Sequence, residues 1–152
     1  MARARKSNFE RYVMGAKRPI TLVVANHLWI EHILTECLRK SLARPSALLD
    51  RRSPPFPLLV ALCEALGIVE PDFAEVLRRV HALRNQFVHK LAFEPKMKEV
   101  EALQRALSEM KTPFYASYVP PSEHEMMRCM ASISGFLERR AKDIGVPGLG
   151  AA

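Results

Sequence analysis

Apolar residues recur at three- and four-residue intervals through almost the whole of this 152-residue chain, a period that favours helices. The first such segment runs from about Ile20 to Leu42, with Pro19 at its start, where a missing N–H costs nothing. Ile20, Val24, His27, Leu28, Leu34 and Leu38 form one stripe, and Leu22, Trp29, Ile33 and Cys37 form a second on the far side. A helix apolar on two faces lies at the centre of a core or is shared with a partner chain. The prolines at 45, 54, 55 and 57 make Arg44–Pro57 a loop, since repeated prolines block a continuous helix.

Four further helices follow. A short one is expected over Pro57–Leu66, with Leu58, Leu59, Leu62 and Leu66 inward, and Gly67 suits its C-terminal turn. The next opens at Pro71-Asp72 and reaches about His89, with Phe73, Val76, Leu77, Val80, Leu83 and Phe87 on its core face. Another starts at Glu94-Pro95 and runs to about Met110. Residues 112–121 form an irregular connection whose Tyr115–Val119 stretch is the one β-prone segment. Ser122 and Glu125 have capping-box spacing, and the last helix runs from there to about Ile144, ending at Gly145. The expected fold class is all-α: about five helices in a bundle, forming one domain over residues 19–145. A basic, flexible arm (1–18) precedes it and a disordered tail (146–152) follows.

Composition narrows the class of function. No apolar run approaches the ~18 residues of a membrane span. Cys37, Cys63 and Cys129 are odd in number and widely spaced, which suits reduced core thiols in a cytoplasmic protein better than a disulfide framework or a metal site. Of the net charge of +7, the first 18 residues supply most: Arg3, Arg5, Lys6, Arg11, Lys17 and Arg18 stand against a lone Glu10. Such an arm either binds a polyanion such as RNA or is a solvated tail. The fingerprints GxxxxGK[ST], GxGxxG, GxSxG and HExxH do not occur, so nucleotide hydrolysis, dinucleotide binding and the familiar hydrolase chemistries have no anchor, and no cofactor is expected. No helix joins a short turn to a strongly basic face, as a helix-turn-helix reader would.

Two charged residues sit where they do not belong. At 100° per residue, Arg84 falls about 20° from Phe73, inside the apolar arc of its helix. Glu31 falls about 20° from Ile20, between Val24 and Leu38. A charge in a core stripe is expensive unless paired, so a Glu31–Arg84 ion pair across packed helices is expected, within one chain or between two. The alternative is an arginine that reaches out to solvent or to a local carboxylate. His27, beside Glu31, fits a satisfied core histidine, and His81 an interface or half-buried one. His27 and His32 are five apart, a poor spacing for a shared metal. His124 is expected to be exposed.

Arg84 also opens the run Arg84-Asn85-Gln86-Phe87-Val88-His89. This resembles the R-x(4–6)-H signature of the HEPN superfamily, in which a polar residue often follows the arginine. From Ile20 to about Phe93 the chain is also similar to the mannitol repressor group. There a long first helix, a short helix ending in L-G-x-[IV] (here Leu66-Gly67-Ile68-Val69) and a helix ending in an RN…H-like run occur in that order. The bare pattern is weakly specific. Its weight comes from its position late in a long helix, on an arginine already out of place.

The resemblance implies a homodimeric, metal-independent endoribonuclease of toxin or defence type, with a cognate antitoxin or regulatory protein as partner. His89 would be general acid or base, Arg84 would hold the scissile phosphate, and Asn85 would help orient either. Imidazole suits the first role because its pKa lies near neutrality. On an ideal helix His89 lies about 140° round from Arg84. Either the helix ends before His89, or the arginine of one subunit serves the histidine of the other. The alternative implied by the mannitol repressor likeness is a non-catalytic regulatory or protein-interaction module. His89 would then be a histidine at a helix C-terminus, where the dipole favours a cation.

Overall fold

The computed structural model describes residues 19–89, 97–110 and 123–149. These hold six helices and no strand: α1 (Pro19–Ser41), α2 (Ser46–Leu49), α3 (Phe56–Ala65), α4 (Pro71–His89), α5 (Met97–Ser108) and α6 (Glu123–Asp143). The all-α expectation holds. The basic residues of the arm (Arg3, Arg5, Lys6, Arg11, Lys17, Arg18), the Glu94-Pro95 helix start, residues 112–121, Ser122 and the side chain of His124 lie outside the described residues. The loop expected over Arg44–Pro57 contains one extra helical turn, α2, which Pro45 opens and which buries Leu49.

α1 is the axis of the bundle. It packs against α6, α3 and α4, while α4 packs on α3 and α5, and α5 on α6. Val23, Ile30, Ile33, Leu34, Cys37 and Leu38 of α1 are buried, so both of its apolar faces are used within one chain. Leu28 is the exception, since it is 57% exposed. The face of α4 is as its period predicts, with Phe73, Val76, Leu77, Val80, Leu83 and Phe87 buried together with Ala74. The three cysteines are free and buried. None of the helices is long and apolar enough to cross a membrane, among the described residues.

α3 departs from its expected face. It starts one residue earlier, with Pro55 at the N-cap, and buries Phe56, Leu59, Val60 and Cys63, leaving Leu58 and Leu66 exposed. The segment FPLLVALCEA is apolar on nearly every side, so its period does not choose a stripe. The large Phe56 ring chooses it, by filling the space between α1 and α4.

Two helices end in the same way. After α3, Gly67 takes φ +69, its N–H bonds to the Glu64 carbonyl (3.0 Å) and that of Ile68 to the Cys63 carbonyl (2.8 Å). After α6, Gly145 takes φ +82, bonding to Lys142 (3.0 Å), and Val146 bonds to Ala141 (3.0 Å). Both are Schellman motifs, in which a left-handed residue satisfies the last carbonyls and turns the next apolar side chain back onto the helix. That folding back corrects the expectation of a free tail from residue 146: Val146 and Leu149 are buried in the core cluster. Arg140 ties the two ends together, donating from Nε to the Ile68 carbonyl (2.8 Å) and from Nη2 to the Gly67 carbonyl (2.9 Å).

Candidate functional site

α1 and α4 meet at a line of polar side chains. From the C-terminal part of α4 inward, Arg84 Nη1 donates to Asn85 Oδ1 (3.0 Å). Asn85 Nδ2 bonds to His81 Nε2 (3.2 Å), and His81 Nδ1 to His27 Nε2 (2.9 Å). The far ring nitrogen of His27, Nδ1, lies 4.0 Å from Glu31 Oε2, close but without a hydrogen bond. His81 and Asn85 are four apart on α4, as His27 and Glu31 are on α1, so each pair shares one helix face. Phe56 at the start of α3 covers both rings. It stacks on His81 at 5.0 Å between centroids and 6° between planes, and packs at 4.2 Å on His27.

The electrostatics follow from this placement. His27 is 3% exposed, and its pKa falls from 6.5 to about 4 because burial penalises the charged ring, with His81 and Arg84 adding repulsion. The His81 pKa is also lowered, first by burial and then by Arg84. Two neutral imidazoles therefore lie between a guanidinium and a carboxylate. Arg84 is half-buried, its Nε is buried without a partner, and no ion pair among the described residues includes it.

These observations correct the expected ion pair. Within the chain Glu31 and Arg84 do not touch; Glu31 faces His27, and Arg84 is held by Asn85, with two histidines between them. The physical reason is that the two rings meet across the helices: His27 takes the place opposite His81, and each charged group is left to a neighbour on its own helix. Asn85, expected beside the arginine, is the link that joins it to His81. His89 stands apart. It is the last residue of α4, it is exposed, and it makes no hydrogen bond or ion pair with another described residue. The structure thus brings together Arg84 and Asn85 but not His89.

Sequence reasoning missed the His27–His81 contact and the part of Phe56. The available signal was a histidine in the buried stripe of α1 and another at the edge of that of α4. The two become neighbours only when the register of the helices is known. No group of three or more His, Cys, Asp and Glu side chains is placed to hold a metal ion among the described residues. Compared with known protein families, curated proteins and solved structures, the chain matches none.

Proposed function

We propose that this is a HEPN-like, metal-independent endoribonuclease that acts as a homodimer, with Arg84 and His89 of different subunits meeting at one cleft. The observation that carries the reading is the state of Arg84: among the described residues it is a half-buried guanidinium with one neutral partner, no carboxylate and a buried Nε left unpaired. A charge held so is stabilised by an anion from outside, and a phosphodiester offers the acceptors that a guanidinium fork fits. α4 runs unbroken to His89, so the two side chains leave it about 140° apart, and a second subunit is the way to bring them together. In this arrangement Arg84 holds the scissile phosphate and stabilises the charge that develops on it. The exposed His89 takes the 2′-hydroxyl proton or gives one to the leaving oxygen. Arg3, Arg5, Lys6, Arg11, Lys17 and Arg18 directly precede α1 and add a basic segment for the RNA backbone.

The test is cleavage of single-stranded RNA by the purified chain in EDTA, with product ends identified. The reading predicts 2′,3′-cyclic phosphate ends, and loss of cutting in His89→Ala and Arg84→Ala proteins that keep their helical content. Equal cutting by wild type and His89→Ala removes the histidine from the mechanism. A second reading, a regulatory module without catalysis that docks on an antitoxin or other protein, is favoured by one observation: among the described residues His89 makes no hydrogen bond or ion pair with the Arg84 line.

A further inference from the structure

The donor and acceptor roles along the α1–α4 line are fixed from one end. A guanidinium can only donate, so Asn85 presents Oδ1 to Arg84 and therefore Nδ2 to His81. His81 Nε2 then accepts, and the neutral ring carries its proton on Nδ1. That proton points at His27 Nε2, which accepts in turn and leaves the His27 proton on Nδ1, toward Glu31. Every donor faces the same way, from Arg84 to Glu31.

We infer that His81 and His27 are positioning residues for Arg84: acting through Asn85, the neutral pair holds the guanidinium in its aim, and one proton added anywhere on the pair releases it. This rests on the reading of Arg84 as the phosphate-binding group. A proton on His81 places an N–H on Nε2, facing the Asn85 amide donor. Turning the amide over would restore that bond but direct its NH2 at Arg84. A proton on His27 goes to Nε2, facing the His81 Nδ1–H. His81 must then move its own proton to Nε2, with the same result at Asn85. In each case Asn85 can no longer serve both neighbours: it either loses the His81 bond that braces it or turns over and gives up Arg84. The charged and titratable groups facing the pair are Glu31 on α1 and Arg84 on α4. α3 contributes the uncharged Phe56 ring, and α6 meets α1 on another face through Asn26, Met130 and Ser134.

Nitrogen-15 NMR of the imidazole rings of the full chain tests the arrangement without RNA. At pH 7 both rings are expected as the Nδ1–H tautomer, and the Asn85 side-chain amide should shift in step with His81 on acidification. An Nε2–H tautomer on either ring at pH 7, or an Asn85 amide unmoved through the titration, overturns the inference. A pair of variants separates positioning from bulk. His81→Gln accepts from Asn85 and donates to His27, so it should bind a labelled single-stranded oligoribonucleotide like wild type at pH 7. His81→Leu should bind about tenfold more weakly, through the loss of the hydrogen bond that braces Asn85. Equal binding by both variants also overturns it. If the tautomers are as stated but the oligoribonucleotide does not bind to wild type at any pH, the RNA reading fails and the tautomer lock stands.

Discussion

Acid should destabilise this protein through His27 before its carboxylates matter. The ring titrates near 6.5 when unfolded and at about 4 when folded. Between those values the unfolded chain binds the extra proton and the folded one does not, so stability falls as pH drops through this window and is complete above it. At about 1.4 kcal/mol per pKa unit, the whole shift is worth roughly 3 kcal/mol, most of which is lost by pH 4.5. The lowered pKa of His81 acts in the same direction. Against the usual total of about 5–15 kcal/mol for a domain, this is a large share. The assay is urea unfolding from pH 7 to 4.5 on wild type and His27→Leu. The variant starts less stable at pH 7, because the His81 Nδ1–H loses its acceptor, but its curve should be flatter by about 2 kcal/mol over that range. Parallel curves would refute the reasoning, because they would mean that His27 keeps an ordinary pKa in the fold.

Two further outcomes follow from polar contacts between α1 and α6. Ser134 donates from Oγ to Asn26 Oδ1, both side chains being fully buried, so Ser134→Ala should cost about 1–3 kcal/mol in chemical denaturation. Trp29, the one tryptophan of the chain, donates to Glu138 Oε1 at 2.7 Å, and burial raises the Glu138 pKa above the usual carboxylate range. Tryptophan fluorescence should therefore change in mildly acidic solution as Glu138 takes up its proton, and Glu138→Gln should abolish that transition.

What the sequence discloses depends on whether a segment leaves one stripe to choose. α4 has a single apolar arc, and all of its buried residues except the small Ala74 were legible one by one. α1 has two arcs, legible as a central helix but not as to which neighbours would fill them, and Leu28 was placed inside when it lies outside. α3 is apolar all round, so Phe56 sets its rotation through a tertiary contact that no period encodes. The packed end at Val146 and Leu149 was missed for another reason. Gly145 announces the end of a helix, but the return of Val146 onto Ala141 belongs to the turn it makes.

The site was legible in the same partial way. Arg84 and Glu31 stand out because charge on an apolar arc is costly, and they do lie at the two ends of one polar line. That the line would run through His81 and His27, instead of closing directly, depends on the sliding register between α1 and α4. Side-chain spacing within either helix carries no information about that register.

The most direct test of the account is to mix two inactive chains. Arg84→Ala and His89→Ala proteins, each silent on RNA in EDTA, are unfolded together and refolded as mixed dimers. If Arg84 of one subunit serves His89 of the other, half of the dimers are mixed and one of the two Arg84–His89 pairs in their cleft is intact, so about a quarter of wild-type cutting should return. A mixture that forms mixed dimers yet cuts no more than its parents would contradict the shared cleft.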